Sequence, residues 1–277
     1  MRDIRPTKSL ALAAALTLGL AWFGAGAHAQ EAETELAKKT QNPVADLISI
    51  PLQNNMNFGI GPNHRTQNVL NVQPVVPFHL NADWNLITRT IAPIIKQPNL
   101  RASDGDTWGL GDINASAFLS PAKPGALIWG VGPSVQLATG TDDALGSRKW
   151  AAGPSVVGLT MQGPWVLGAL FQQIWSFAGN GDHPNVSQLL VQPIINYNLP
   201  DGWYLTAVPI ITANWEATSG NKWTVPVGGG FGKIFRIGKL PFNANIAAFA
   251  NVVRPDPGPD WTLRLSIALL LPKSIFD

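Results

Sequence analysis

The chain has 277 residues, of which 45% are hydrophobic and only 13% are charged. A charged share this low is about half of that in soluble domains, and it favours a protein whose surface faces something other than water. The absence of cysteine excludes disulfides, and the absence of a basic patch argues against nucleic acid as a partner.

Residues 1–29 have the three parts of a secretory signal peptide. Three basic residues precede an apolar run over 10–23, and residues 27–29, Ala-His-Ala, fit a cleavage site. Because the run is short for a bilayer span, we expect cleavage after Ala29 rather than a retained anchor. Cleavage would remove three of the 19 basic and one of the 17 acidic residues, leaving a mature chain with 16 of each.

Residues 30–46 (QEAETELAKKTQNPVAD) are charge-dense and helical-looking, and they precede the predicted barrel at 47–277. The mixed charges between Glu31 and Lys39 suit either an amphipathic plug or a disordered tail. Three glycines at 228–230 leave room for something to approach the barrel wall, and a plug is one candidate.

From residue 47 onwards, apolar and polar residues alternate, and no run is long and apolar enough for a transmembrane helix. In 261–271, Leu263, Leu265 and Ile267 share one face, whereas the residues between them are mostly polar. A soluble β-sandwich also alternates, so alternation alone does not decide between the two folds. Twelve strands are predicted, at 47–60, 66–80, 84–97, 108–120, 126–139, 150–160, 165–178, 186–199, 203–216, 223–236, 240–253 and 261–271.

The connections between these strands alternate in length. Longer polar loops such as PNLRASDGD and GTDDALGSR alternate with tight turns such as NAD and PDG. An even strand count with short periplasmic turns and longer outer loops is typical of bacterial outer-membrane β-barrels. The predicted fold is therefore an all-β, closed antiparallel transmembrane barrel of about 12 strands.

Tryptophan supports this topology. Ten tryptophans of the mature chain lie near predicted strand ends, where indole prefers the membrane–water interface. They form two predicted girdles, Trp84, Trp129, Trp165 and Trp203 at the short-turn end, and Trp108, Trp150, Trp175, Trp215, Trp223 and Trp261 at the long-loop end.

The prolines inside predicted strands do not fit the pattern of a closed barrel. Proline cannot donate a backbone hydrogen bond to a β-ladder, and a closed barrel has no edge strand to accommodate it. Bulges or kinks are expected at several of the seven in-strand prolines, Pro74, Pro93, Pro133, Pro154, Pro193, Pro209 and Pro226. Two of them belong to identical Gly-Pro-Ser-Val stretches that begin only 21 residues apart, at Gly132 and Gly153. We interpret these stretches as two sides of one hairpin, with Ser134 and Ser155 facing the lumen and the prolines facing lipid.

Four stretches carry a resemblance to a known family. They are LAKKTQNPVADLISIPLQNNMNFGIGP (36–62), VQPVVPFHL (72–80), WGVGPSVQLATGTDDALGSRKWAAGPSVV (129–157) and LRLSIALLLPK (263–273). In them the chain resembles a bacterial outer-membrane family that is often labelled "transporter", is linked to the meta-pathway of phenol degradation and is sometimes mislabelled neuromedin U. The resemblance covers nearly all of the mature chain and implies an outer-membrane β-barrel with a transport role. It brings no established catalytic residues and no firm substrate.

The chemistry-bearing residues point away from an enzyme. His64, His79 and His183 have no second His or Cys at metal-ligand spacing, and a structural role is favoured for each. The chain has no His-x-Ser pair like that of outer-membrane phospholipase and no Gly-x-Ser-x-Gly elbow. We therefore predict no catalytic residues, no metal site and no cofactor.

Several acidic residues lie in the predicted outer loops. Asp104-Gly105-Asp106, Asp142-Asp143 and Asp182 offer oxygen ligands for Ca²⁺ but lack the spacing of an EF-hand. Solvated turn residues are the favoured interpretation, and bridging of lipopolysaccharide through divalent cations is the alternative. Expected partners are outer-membrane lipid and lipopolysaccharide, the outer-membrane assembly machinery and a small-molecule solute.

The predicted inward face is rich in amides and poor in full charges. It holds Gln53, Asn55, Asn57, Asn71, Gln73, Arg89, Asp112, Asn114, Gln136, Gln172, Gln192, Asn196, Asn243, Asn245 and Arg264. These side chains either fill the barrel with a self-satisfied hydrogen-bond network or line a narrow lumen for small neutral compounds, hydrophobic or aromatic ones included. The sequence favours a passive outer-membrane transporter or channel, with a non-conducting structural or envelope-interaction barrel as the alternative and a lipid-acting enzyme behind both.

Overall fold

The computed structural model describes residues 33–100 and 105–271, so the predicted signal peptide and Asp104 lie outside the described residues. Residues 33–40 are helical, and Pro200–Gly202 forms a short 3-10 turn. The strands are β1 (Ile48–Ile60), β2 (Arg65–Val72), β3 (Val75–His79), β4 (Trp84–Pro98), β5 (Asp106–Leu110), β6 (Ile113–Pro121), β7 (Leu127–Leu137), β8 (Lys149–Gln162), β9 (Trp165–Gly179), β10 (Ser187–Asn198), β11 (Trp203–Ala207), β12 (Ile211–Asn214), β13 (Trp223–Ile237), β14 (Leu240–Val253) and β15 (Trp261–Leu271).

These segments make twelve wall strands, because β2–β3, β5–β6 and β11–β12 are each one strand with a short interruption. Neighbouring strands pair antiparallel around the whole sheet. The first and last strands pair with each other from Ile48↔Leu271 to Phe58↔Trp261, which closes the barrel. The predicted closed antiparallel barrel of twelve strands is confirmed. No helix in the described ranges is long and apolar enough to cross a membrane.

The two faces of the wall differ as the alternation predicts. Inward side chains such as Ile87, Phe118 and Ile234 are almost completely buried. Outward apolar side chains remain exposed, for example Leu52 at 42% and Phe171 at 45%. Because a soluble protein rarely leaves an apolar surface this extensive uncovered, the outer wall is suited to lipid.

A ladder interruption lies beside each of the predicted in-strand prolines, Pro74, Pro93, Pro133, Pro154, Pro193, Pro209 and Pro226. Pro74 lies between β2 and β3, and Pro209 lies between β11 and β12. Pro193 faces the second gap, where β10 changes its partner from β12 to β11. Pro93 lies where β4 changes from β6 to β5, and a register shift separates Val225 from Pro226. At each proline, therefore, the ladder to one neighbouring strand is interrupted, so the missing N–H leaves no acceptor of that strand without its donor.

The two Gly-Pro-Ser-Val stretches face each other in the β7–β8 hairpin. Their register pairs Gly132 with Ser155, Pro133 with Pro154 and Ser134 with Gly153. Both prolines are exposed on the outer wall and both serines are buried inside, as the sequence predicts. The serine hydroxyls share a hydrogen bond of 2.5 Å, which ties the two strands together on the lumen side.

The glycines at 228–230 do not receive a plug. A Cβ at each position would meet a backbone carbonyl of a neighbouring strand, namely that of Ala248, Thr206 or Ile246. The expectation of a plug contact there is wrong, because close strand packing already uses the space. The glycines that face the N-terminal segment are Gly130, against Val44, and Gly202, against Glu33.

Candidate functional site

The N-terminal segment lies inside the barrel as a plug, which we define as residues 33–47. Its helix buries Ala37 completely in a cluster with Leu47, Tyr204, Ile234 and the neighbouring lumen residues of β15. Alanine suits this position because its small side chain lets the helix approach the wall closely. Residues 33–47 are therefore packed against inward side chains of the wall in the described structure.

Beyond the helix, the plug crosses the lumen to the opposite wall. Val44 is buried against Ile87, Phe118, Val157 and Leu170, which come from four different strands. This contact lies in a different cluster from that of Ala37, so apolar packing holds the plug at two separate places. Because each contact buries apolar area, the plug is anchored rather than loosely inserted.

Hydrogen bonds fix the plug between these two anchors. Gln41 and Asn198 exchange a reciprocal pair, with Gln41 Nε2 donating to Asn198 Oδ1 at 2.9 Å and Asn198 Nδ2 donating to Gln41 Oε1 at 3.2 Å. Asn243 Nδ2 donates to Thr40 Oγ1 at 3.2 Å, and Tyr204 donates its hydroxyl hydrogen to Asn243 Oδ1 at 2.6 Å. The plug is therefore hydrogen-bonded to two wall strands, β10 and β14.

A cavity of about 210 Å³ lies directly against the plug. Plug residues 39–43, Ala45 and Leu47 form part of its lining. The rest comes from inward side chains of β1, β3, β4, β10, β11, β14 and β15 and of the β2–β3 and β11–β12 junctions. Pockets for drug-sized ligands have roughly 300–1,000 Å³, so this cavity suits a smaller molecule. Its lining mixes amides with apolar side chains such as Val75, Ile194 and Phe249.

Two arginines line this cavity, Arg89 from β4 and Arg264 from β15. Arg264 donates from Nε to Asn55 Oδ1 at 3.0 Å and from Nη1 to the Val208 carbonyl at 2.8 Å. That carbonyl lies in the gap at Pro209, where it is free of the β-ladder. Arg89 donates to Gln73 Oε1 at 2.9 Å. The acceptors of both guanidinium groups are neutral, because they are amide or backbone carbonyls.

The structure places all fifteen predicted lumen residues on the inward face. Eight of them line the cavity, and these are Gln53, Gln73, Arg89, Gln192, Asn196, Asn243, Asn245 and Arg264. Outside the cavity lining, the Gln172 amide donates a hydrogen bond to Asn114 Oδ1 at 3.2 Å, and the Asn57 amide donates one to Gln67 Oε1 at 2.7 Å. Asn71 lies on the inward side of β2, opposite Gln53.

Sequence reasoning missed several lumen residues. Tyr204 and Phe249 look like ordinary barrel residues in the alternation pattern, yet they line the cavity. Lys39 lines it as well, although no sequence signal places the plug against any particular strand. The parity of each strand could have indicated Tyr204 and Phe249, because both follow the inward phase of their strands.

Asp112 organises the outer end of the lumen rather than the cavity beside the plug. Its Oδ2 accepts hydrogen bonds from Ser147 N at 2.7 Å, Ser147 Oγ at 2.6 Å and Gln136 Nε2 at 3.3 Å, and its Oδ1 accepts one from Gly140 N at 3.0 Å. The loop between β7 and β8 is thereby tied to β6. Leu145 of this loop is buried, which adds an apolar contact to the same closure.

Three other outer-loop acids, Asp106, Asp142 and Asp143, have basic or backbone partners. Asp106 pairs with Arg65 at 2.8 Å and with Lys96 at 2.9 Å, and Asp143 pairs with Arg148 at 2.7 Å. Asp142 accepts a hydrogen bond from Ala144 N, as in a common turn. Within residues 33–100 and 105–271, no three His, Cys, Asp or Glu side chains form a group that could hold a metal ion.

The histidines lie apart from one another. His79 contacts Asn85 at 2.7 Å and Asp46 at 3.3 Å near the plug end of the barrel, whereas His64 and His183 lie by Asp260 and Asp143 in outer loops. No hydrogen bond in the described part of the chain joins a His to a Ser or Thr hydroxyl. The pair that a serine hydrolase needs is therefore not formed by these residues.

The predicted tryptophan positions lie at the ends of the wall strands. Trp84, Trp165, Trp203, Trp223 and Trp261 each begin a strand. Eight of the ten are among the exposed large hydrophobic residues, led by Trp108 at 63%, whereas Trp84 and Trp129 pack edge to face against each other. Exposed indoles at strand ends fit the two interfaces of a bilayer.

No protein-family model matches the chain, and no curated protein matches it. The fold is nevertheless similar to that of a solved structure, the COG4313 outer membrane channel from Pseudomonas putida F1, with a TM-score of 0.62. The chain has the fold of an outer-membrane β-barrel. The match covers 81% of this chain and 94% of that channel at 16% sequence identity. With the apolar outer wall, it confirms the predicted location in a bacterial outer membrane.

Two further solved structures match more weakly. The outer membrane phospholipase A from Escherichia coli has a TM-score of 0.40 and 11% identity over 80% of this chain and 96% of that one. The calcium-bound phospholipase dimer from Salmonella typhi has a TM-score of 0.41 and 11% identity over 85% and 95%.

Proposed function

We propose that the chain is a passive outer-membrane channel for small organic solutes, held closed at the plug end by its own N-terminal segment. The observation that carries this proposal is the cavity between the plug and the barrel wall. In a barrel whose lumen is simply filled by its own side chains, we would not expect a cavity lined by convergent polar side chains beside a separate plug.

The similarity to an outer membrane channel supports the same proposal at the level of fold. The mixed amide and apolar lining suits small aromatic or weakly polar compounds, as the sequence predicts. A link to phenolic compounds comes from the family resemblance alone. Lipopolysaccharide and the assembly machinery remain expected partners of any barrel in this membrane.

One observation favours the alternative, a non-conducting structural barrel. The plug is anchored at two apolar clusters and by reciprocal amide hydrogen bonds, as a permanent filling would be. The difference lies in whether the plug can leave its seat. A channel requires a seated and an unseated state, whereas a structural barrel requires only the first.

Planar-bilayer conductance and liposome swelling with the purified protein separate the two functions. Ala37→Trp introduces a side chain that cannot fit the fully buried position, so we expect it to unseat the plug and raise conductance. Glu35→Trp places the same side chain on the exposed face of the same helix and should leave conductance unchanged. If neither ions nor neutral solutes pass through the protein, the Ala37→Trp variant or a variant lacking residues 30–46, the channel proposal is wrong.

A further inference from the structure

The charges that line the cavity are all of one sign. Lys39, Arg89 and Arg264 are lining residues, and no Asp or Glu belongs to the described lining. Arg89 of β4 and Arg264 of β15 thus place two like charges around the same cavity. Bringing two cations together in a partly dehydrated lumen is unfavourable unless an anion is present for part of the time.

Three acidic residues of the plug and lumen have partners outside the cavity lining. Glu35 of the plug pairs with Lys38 at 2.7 Å, and Asp46 lies 3.3 Å from His79. Asp112 holds the outer loop through its hydrogen bonds to Ser147 and Gly140. Within the described residues, no acidic side chain therefore lines the cavity beside its three cations.

The hydrogen bonds of the two arginines hold them in place without satisfying them. Arg89 donates one hydrogen bond, and Arg264 donates two and lies 4.7 Å from the Phe249 ring centroid. A guanidinium has five N–H donors, so both side chains keep donors for a ligand. Such preset donors match the two oxygens of a carboxylate.

A third polar side chain of the same lining has a buried oxygen without a partner. Asn196 lines the cavity, is only 2% exposed, and its Oδ1 has no hydrogen-bond partner. A buried side-chain amide normally has its hydrogen bonds satisfied, so an orphaned one indicates a missing ligand or water. Because an amide can turn to present its NH₂ group, Asn196 can donate to an anion as well.

We propose that Arg89 and Arg264 form a binding site for the carboxylate of a small organic acid. The inference rests on the channel function proposed above and narrows its solutes from small organic compounds in general to organic anions. The carboxylate would contact the guanidinium groups, and the organic body would lie against apolar lining residues such as Val75 and Ile194. A phosphate ion would satisfy the charge but leave this apolar lining unused, so a carboxylate is the better fit.

Isothermal titration calorimetry on the purified full-length protein tests the site with benzoate, benzyl alcohol and inorganic phosphate as probes. We expect benzoate to bind at least tenfold more tightly than benzyl alcohol, which has a similar body without the charge, and more tightly than phosphate. Arg264→Gln and Arg89→Gln should each weaken benzoate binding by about tenfold or more. Arg264→Lys should fall between, because lysine keeps the charge but loses the planar fork.

Lys233→Gln is the matched control, since this cation lies over Trp203 on the outer wall and should not affect benzoate binding. Heat-modifiable migration on gels shows whether each variant is folded; if Arg264→Gln is not, Arg264→Lys and the benzoate preference of the unmodified protein decide. The proposed site is wrong if benzoate binds with the same affinity as benzyl alcohol or as phosphate. It is also wrong if the folded arginine variants bind benzoate as tightly as the unmodified protein.

Conductance of the same preparations distinguishes the two proposals. Conductance without preferential benzoate binding would overturn the carboxylate site and leave the channel. Benzoate binding without conductance, even after the plug is unseated, would overturn the channel and show that the site holds a ligand without passing it.

Discussion

Pro133 and Pro154 lie directly opposite each other in the antiparallel β7–β8 pair. Because the two Gly-Pro-Ser-Val copies pair in reverse order around them, each glycine faces the serine of the other copy. On their outer sides, the β6–β7 ladder is interrupted beside Pro133 and the β8–β9 ladder beside Pro154. The repeat thus places both missing N–H groups at ladder gaps and both serines in the lumen.

Ser134 should be important for the stability of this hairpin. Its hydroxyl joins Ser155 on one side and Ser116 on the other, and the side chain is fully buried. Ser134→Ala leaves two buried hydroxyls short of a partner, so we expect a loss of about 1–3 kcal/mol in the free energy of unfolding. Urea unfolding of the detergent-solubilised barrel measures it, with exposed Ser219→Ala as the control. An unchanged unfolding midpoint for Ser134→Ala would contradict the role of this serine chain.

The reciprocal amide pair between Gln41 and Asn198 should set how often the plug leaves its seat. Gln41→Ala removes both hydrogen bonds, and a loss of about 1 kcal/mol raises the unseated fraction about fivefold. Single-channel recordings measure this as a higher open probability. Gln162→Ala, at an exposed strand end, is the control. If Asn198→Ala adds its full effect to that of Gln41→Ala, the two side chains are not coupled and the contact is incidental.

Asp112 should hold the outer loop closed. Asp112→Asn keeps the shape but replaces one accepting oxygen with an NH₂ group that faces N–H and O–H donors, at a cost of about 1–3 kcal/mol to the local closure. We therefore expect trypsin to cleave after Arg148 faster in this variant than in the unmodified protein. Electrophoresis, which separates intact from cut barrels, measures the rate. Asp142→Asn in the same loop keeps its single turn hydrogen bond and should cut at the original rate. Equal rates for the two variants would exclude Asp112 as the loop anchor.

The ion pairs of Asp106 should make the outer rim sensitive to acid. This residue lies beyond Trp108 at the outer end of β5, and the hydrogen bond from Lys96, together with the charges of Lys96 and Arg65, holds the pKa of its carboxyl below the ordinary value. Since the folded-state pKa is the lower one, the pairs stabilise the barrel fully at neutral pH. That contribution is lost as the pH falls below about 4 and through the lowered pKa.

The temperature of heat-modifiable unfolding, measured at pH 7 and pH 3, checks this dependence. The unmodified protein should lose stability between the two values, and Asp106→Asn should lose less because its pairs are already absent. Asp182→Asn should behave as the unmodified protein does. A pH dependence that is the same in Asp106→Asn would assign the acid sensitivity to other groups.

The wall of the barrel could be predicted from the sequence because a two-residue period, turn chemistry and tryptophan position all point to the same fold. Residues such as Leu265 and Arg264 show their faces directly in the alternation. The seat of the plug could not be predicted, because the contact between Gln41 and Asn198 joins residues 157 positions apart that carry no periodic signal. The proposed carboxylate site could not be predicted for a related reason. The small number of charges in the lumen suggested neutral solutes, whereas the proposal depends on Arg89 and Arg264 lining a cavity that has no acidic residue in its described lining.

Asn54 and Asn55 are neighbours in β1 whose replacement should have opposite effects. Asn54 lies on the outward face between Leu265 and Leu70, and its Oδ1 is buried without a hydrogen-bond partner. Asn55 lies on the inward face and accepts a hydrogen bond from Arg264 at 3.0 Å. Asn54→Leu therefore extends the apolar band and removes an orphaned acceptor, so we expect stability to rise by about 1 kcal/mol or more.

Asn55→Leu makes the same chemical change one residue away and should lower stability by about 1–3 kcal/mol, because it takes an acceptor from a lumen arginine. Urea unfolding of both variants beside the unmodified protein measures the two effects. A matched pair of this kind cancels differences in helix or strand preference, since residue type and strand are identical. If both replacements change stability in the same direction, either the outward face of β1 does not meet lipid at Asn54 or Arg264 does not depend on Asn55.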